Sequence, residues 1–481
     1  MQVTRRTVIN SLSGALASSL VSRAVRADGP FPFETMHEGI VERVKRLAGR
    51  REDTLAVLYP KGSRPSVNAV ARRFQAVTGV TVALQEAPLD DINSSILLSK
   101  LTGLSDFDVA LPATFGIPDL AEAGALYDLD GFAAQYEPAD FQKRSLYSIG
   151  DYYKGRLYGY QTDGDVYLMF YNQAFLDNPE AAKRFADQYG RPLALPSSWA
   201  ELDEMIGFFH RPYASRYGGA LFRRPDYLPW EWWTRFHAKG VLPFDDGMEP
   251  QIAGEAGVEA LADLIAVTAN LHPGVRTDGL FENWKRFAAG ETFCNIGWGG
   301  SQKAFNAPDS AVRGRLSFDA TPAGLIGGQK VPTPYFNWGW NYVVSAQTPR
   351  PELAYLFCLF ACSPIISTEA VGEAEGYFDP FRLDHYDDPK IEKIYSRPFL
   401  DSHRAGMAAA IPDLYLNGQA DYFGALRENM AAALAGDLTP QEAMDRAARR
   451  WRITTYRLGK ENQLQQWQFL KSRYPAPWRD L

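Results

Sequence analysis

Two aspartates two residues apart, Asp163 and Asp165, open the apolar run in "LYGYQTDGDVYLMFYN" (157–172). Carboxylates so placed suit three chemistries: a catalytic acid/base pair, cation ligands, or acceptors for the hydroxyls of a bound solute. On an extended strand, residues i and i+2 project to one side about 6.8 Å apart. An inverting glycosidase uses a similar separation, but with its acids on opposite faces of the scissile bond. Calcium takes more oxygens at close intervals, and "DGD" is only a fragment of such a loop. An ionised carboxylate accepting from vicinal hydroxyls needs no partner acid. The bland alternative is a turn at Asp163-Gly164 with Asp165 as a solvated cap.

Aromatic and small polar residues near other strand ends extend the candidate site. Trp298 and Gly299 follow the strand-like "TFCNIG", where the glycines admit close approach to the backbone. "YFNWGWNY" places Trp338 and Trp340 around Gly339; one indole is expected in a cleft and the other packed beneath it. Thr114 and Phe115 follow "DVALPA", and Tyr59, Lys61 and Ser63 follow "TLAVLYP", at the carboxyl ends where α/β sheets present ligand contacts. Tyr377, Asp379 and Arg382 in "GYFDPFR", and Tyr422, complete the candidates. "YLPWEWWTRF" (227–236) is the most aromatic stretch; as a helix it puts Trp230, Trp233 and Phe236 on one face, a pattern more often of core packing than of ligand contact, with both readings kept.

Alternating elements must hold these residues. "TLAVLYP", "VTVALQEA" and "FDVALPA" read as strands, with helices at "SVNAVARRFQAVTG" and "INSSILLSKLTG" between them. Strand, helix, strand, helix, strand with short connections predicts a parallel α/β lobe. From about residue 164 a second α/β lobe follows, with strands "VYLMFYN" and "TFCNIGW" and helices "WAELDEMIGFFH" and "AGVEALADLIAVTANL". In the helical tail, Thr439-Pro440 with Glu442 three residues on reads as a helix start. At 481 residues the chain exceeds one ordinary core.

Residues 1–27 carry Arg5-Arg6, a weakly apolar stretch and a small-residue region ending at Ala27, the pattern of a twin-arginine secretion signal. Its apolar part falls short of the roughly 20 residues a membrane span needs. No cysteine follows it, so a soluble, exported, non-lipidated periplasmic protein is expected, without membrane insertion. Removing this segment takes away four arginines and no acid, moving the formal charge from −7 to −11, which disfavours nucleic acid as a partner. Residues 28–53 read as an N-terminal extension, helical over "ETMHEGIVERVKRLAGR". Cys358 and Cys362 read as small core residues on one helix face. With Cys294 and the six histidines they give no zinc spacing, and no metal or cofactor is expected.

The ordered segments "FDVALPATFGIPDLAEAGALYDLD", "YYKGRLYGYQTDGDVYLMFYN", "LPSSWAELDEM", "RFAAGETFCNIGWGG", "WGWNYVVSAQTPRPELAYLFCLF" and "GDLTPQEAMDRAARRW" resemble the family 1 extracellular solute-binding proteins of ABC importers, the maltose-binding-protein-like group, over roughly 54–452. The resemblance implies an α/β, two-lobe type II clamp, each lobe a mixed sheet flanked by helices. Lobe 1 would comprise 54–162 and 338–374, and lobe 2 163–337 and 375–481. Crossings would fall at Tyr158–Asp163, Tyr335–Trp340 and Gly372–Tyr377. It places Asp165 at a cleft-facing acid beside the hinge and Trp298 at the stacking tryptophan. The implied function is capture of a carbohydrate, oligosaccharide or polyol by a monomer, without chemistry, and delivery to permease subunits. The same fold would serve a phosphorylated polyol, organic acid or cation, with Arg223, Arg224, Lys61 and Arg382 facing an anion or Asp163, Asp165 and Asp379 a cation. An exported carbohydrate-active enzyme and a chemosensory adaptor are the remaining readings.

Overall fold

The computed structural model describes residues 29–48, 54–103, 106–479 and 481; the twin-arginine segment lies outside them. The first sheet has five strands in the order Thr81–Ala87, Thr54–Pro60, Val109–Ala110, Asn341–Val344, Gly159–Gln161. The first three run parallel, and the last two join antiparallel, so the βαβ pattern read from the sequence becomes a mixed sheet. Between its first strands, the helix Arg64–Thr78 buries Val67, Val70, Ala71 and Phe74 and ends at Gly79, whose φ of 81° suits a glycine cap. "FDVALPA" contributes only two ladder residues, because Pro112 has no N–H to continue the pairing.

The second sheet is built on Val166–Asn172, every residue of which is buried. It lies between Leu316–Ala320 and Thr292–Gly297, antiparallel to both, with Tyr217–Ala220 beyond the latter. The strand Tyr217–Ala220, "YGGA", has no apolar pattern to announce it. Its glycines serve contact instead: a Cβ on Gly218 would lie 2.2 Å from the Ile206 carbonyl oxygen of helix Trp199–Phe209.

The chain passes from the first sheet to the second through 162–165, and returns between Tyr335–Phe336 and Asn341–Val344. A third passage is longer than the expected Gly372–Tyr377. Residues 381–385, assigned to the second lobe by the sequence, lie against the first: Leu146 N donates to Phe381 O, and the His385 ring bonds Ser367. Helices Pro389–Tyr395 and Arg397–Ala409 then cover the second sheet's side of the molecule.

Helix Met36–Ala48 docks Met36, Ile40 and Val44 and ties Arg43 to Glu352. The extension is therefore part of the first lobe. In helix Pro351–Ala361 and its cap, Cys358 and Cys362 are buried free thiols. Among the described residues no single helix is long and apolar enough to cross a membrane; the apolar pair Pro351–Ala361 and Pro364–Val371 is bent by 66° and buried along much of its length. At the tail, Thr439 caps helix Pro440–Arg457 in the predicted box, its Oγ1 accepting from Glu442 N (3.2 Å) while Glu442 Oε2 accepts from Thr439 N (2.8 Å).

Candidate functional site

The three passages between the lobes meet at the aspartates. A Cβ on Gly164 would lie 2.0 Å from Pro380 O, and the His403 ring bonds Gly164 O at 2.8 Å. Gly164 is thus the point where the first and third passages touch, and the spacing of the DGD sequence follows from that approach. Asp163 Oδ1 accepts from Asp379 N (2.6 Å), and Asp165 Oδ2 accepts from Gly339 N (3.0 Å). Carboxylate oxygens of Asp163, Asp165 and Asp379 all lie within 4.8 Å of one another, and all three residues are buried.

Asp379 Oδ1 accepts from the Tyr395 hydroxyl (2.8 Å), while Asp379 Oδ2 and Asp163 Oδ2 have no N–H or O–H donor of the protein. Buried carboxyls this close repel one another when ionised, which favours the protonated forms. Burial, reinforced by the neighbouring carboxyls, pushes Asp163 and Asp165 well above the ordinary carboxylate range. Burial also raises Asp379 to about 6, with Lys303 opposing the rise. The sequence suggests Asp165 as an ionised acceptor; its burial beside two further carboxyls favours the protonated form in the absence of a cation. Lys303 Nζ donates to Val371 O and Glu373 O, both at 2.9 Å, and burial lowers it to about 8.

Above Asp165 lies a cavity between the lobes. Trp230, Trp284, Trp298, Trp338 and Trp340 line it, with Tyr227 and Tyr377. Leu89 from the first lobe and Leu280 from the second share its wall, and Asp165 is its one ionisable acid among the described residues. Its volume is about 40 Å³, space for a few waters. The lobes touch beside it: a Cβ on Gly62 would lie 3.2 Å from Phe281. This is a shut cleft.

Trp298 sits at the end of strand Thr292–Gly297 and donates its indole N–H to Asn337 O (3.2 Å), anchoring the return passage. Gly299 is not in the wall; its missing side chain admits Asp379, since a Cβ there would lie 2.5 Å from the carboxyl. Trp338 has φ 78° and Gly339 φ 61°. The first is a left-handed conformation that costs a non-glycine residue about 1–3 kcal/mol. Both Trp338 and Trp340 line the cavity, where one was expected to pack beneath it. Phe115 meets Trp338 edge-on at 5.4 Å, outside the wall.

Other candidates lie elsewhere. The Thr114 hydroxyl is buried against Asn341 Oδ1 (2.6 Å) and braces the passages. Tyr59 is buried, Ser63 Oγ bonds Pro60 O, and Lys61 is exposed; none lines the cavity. Arg382 is buried with its guanidinium on Phe141 O (3.2 Å) and over the Phe141 ring. Tyr422 is buried among the tail helices, bonded to Thr455 and Gln463. Sequence spacing could not show that these polar side chains are consumed by packing.

Arg223 is likewise spent on a buried ion pair with Glu231, which also binds Arg235. That network fixes helix Leu228–His237, splitting its aromatic face. Trp233 and Phe236 are core, whereas Trp230 reaches the cavity. Trp284 was missed because it does not follow a strand, and Tyr227 opens the aromatic stretch read chiefly as core. Trp284 projects from helix Leu280–Ala288, whose polar and apolar residues segregate sharply.

Two lobes joined by three passages, with an aromatic cavity shut between them, define a hinged solute-binding clamp. The sequence matches the family described as bacterial extracellular solute-binding protein over residues 69–395, and the chain belongs to it. It is 25% identical over 387 residues, 78% of this chain and 82% of the relative, to a protein of Sinorhizobium fredii named a probable amino-acid ABC transporter periplasmic-binding protein. The fold is similar to maltose-bound MalE3 of T. maritima (TM-score 0.70, 17% identity, 83% of this chain and 99% of that one). It is also similar to a ribitol complex of an ABC transporter solute-binding protein from Agrobacterium radiobacter (0.70, 16%, 82% and 97%). A D-mannitol complex from Agrobacterium vitis gives 0.68, 17%, 85% and 99%.

Proposed function

We propose that this protein captures a small solute in the interlobe cavity outside the cytoplasm and hands it unaltered to the permease of an ABC importer. The observation that carries this reading is the cavity itself, with its wall of five indoles and one hinge carboxyl. Sugars and polyols are the first solute class to test: maltose, ribitol and D-mannitol occupy the similar clamps, and flat apolar sugar faces stack on aromatic rings. The name of the Sinorhizobium relative adds amino acids to the panel.

An enzymatic role is disfavoured by geometry. The oxygens of Asp163, Asp165 and Asp379 lie within 4.8 Å of one another, closer than the acids that flank a scissile glycosidic bond at about 5–9.5 Å. Export through the twin-arginine pattern at Arg5-Arg6, action in the periplasm as a monomer, and the division into lobes are part of the same proposal. Its test is a thermal-shift and tryptophan-fluorescence screen against sugars, polyols and amino acids, with recovered solute examined by mass spectrometry. One class should raise the melting temperature by several degrees, the effect of roughly 3–4 kcal/mol at a thousandfold excess over Kd, and return intact. No response across the panel, or an altered solute, contradicts the proposal.

A further inference from the structure

We propose that the captured solute carries a positively charged nitrogen, and that the cavity prefers such a solute to a neutral one of the same shape. The inference rests on the capture reading above and names the charge of its guest. Five indole and two phenol rings supply π faces, the surfaces that attract an ammonium centre, most strongly when desolvated. Among the described residues the wall's one ionisable acid is Asp165, backed by Asp163 and Asp379, and a cation beside it would favour the carboxylate over the protonated form.

Positive charge on the protein side is engaged elsewhere. Arg223 is bound to Glu231, Arg382 to the Phe141 carbonyl, and Arg224 to the Tyr227 hydroxyl and Asp226. Lys303 donates to two carbonyls, and none of these four side chains lines the cavity. An anion would meet no cation there.

A neutral polyol fares poorly for a second reason. Among the described residues the wall contains no Asn, Gln, Ser, Thr or His, so most hydroxyls of a polyol would be left without partners and weaken its binding. An ammonium bearing methyl groups makes fewer such demands. The donors that the wall does offer are the indole N–H groups of Trp284 and Trp338 and the Tyr377 hydroxyl, all buried without partners. They suit one oxygen acceptor on the same guest, such as a hydroxyl or carboxylate tail. A bare metal ion is less well served, because calcium takes six to eight oxygens and the space above Asp165 is walled by rings.

Matched pairs decide the matter: choline against 3,3-dimethylbutan-1-ol, and N-methyl-D-glucamine against D-glucitol, each titrated by tryptophan fluorescence and calorimetry. In at least one pair the cation should bind about tenfold or more tightly, and Asp165→Asn should abolish that preference while retaining the wild-type circular dichroism and two-state melting. Equal or tighter binding of the neutral members overturns the inference, as does an unchanged preference in Asp165→Asn. If neutral sugars or polyols bind while both cations fail, capture stands and the charge assignment falls. If nothing binds, both fall. Should calcium alone raise the melting temperature, the triad is a metal site and the inference is again overturned.

Discussion

Of the glycines on the passages, Gly164 has the tightest surroundings. Its Cβ position, 2.0 Å from Pro380 O, is occupied by backbone that cannot turn aside. Gly164→Ala is expected to lower stability by about 1–3 kcal/mol through overpacking, read as a lower urea midpoint with an unchanged slope; an unchanged midpoint would contradict the close approach. The triad makes a prediction in pH. Asp379 keeps its proton to about 6 when folded, against about 4 for an unfolded aspartate. Its contribution is therefore full below the unfolded value and lost as pH rises through about 6. Asp163 and Asp165 are raised in the same direction. Lys303 faces them, as do the Tyr377 and Tyr395 hydroxyls, which burial keeps protonated. Buried His237, His385 and His403 are lowered to about 3, 3 and 4 and oppose the trend, losing stability as pH falls. Comparison with Asp379→Asn isolates the acid: the wild type's stability relative to the variant should shrink by roughly 1–3 kcal/mol between pH 5 and 8. A constant difference in urea melts would refute the assignment.

At the scale of elements, helix Leu228–His237 separates packing from binding within one turn. Trp233 is buried against Phe423 and donates to Pro412 O, whereas Trp230 meets Trp298 and Trp338 edge-on in the cavity wall. Trp233→Ala should cost about 3–5 kcal/mol of stability. Trp230→Ala should cost less and lose solute affinity; the opposite ranking, by denaturant melts and fluorescence titration, would overturn this division. Thr439→Ala tests the tail cap and should cost about 1 kcal/mol. Periodicity made most of these elements legible. Val67, Val70 and Phe74 repeat at helical spacing, and Gly79 marks the helix end. Tyr217–Ala220 was not legible, because its glycines are selected for contact with another helix and not for a pattern of their own. The site was half legible for the same reason. Asp165, Trp298, Trp338, Trp340 and Tyr377 stand at strand ends or on passages, where composition draws attention. Trp284 sits on a helix, and its role depends on which lobe the helix faces once the cleft shuts.

In the whole molecule, the three passages carry both the mechanical and the chemical roles. Residues on the passages, 162–165, 337–340 and 377–379 within the longer third one, also furnish the acid triad and part of the aromatic wall, so on the proposed reading occupancy of the cavity couples to the angle between lobes. A ligand shifts such an equilibrium only by its differential affinity for the shut form, and contacts from Leu89 on one lobe and Trp230 and Trp284 on the other supply that difference. The most direct measurement is small-angle X-ray scattering of the full chain with and without saturating solute, taking ribitol, D-mannitol and choline in turn. At least one should reduce the radius of gyration and bring the profile to that of the shut structure described here. Profiles that stay identical with a solute bound and detected by fluorescence would contradict capture by closure.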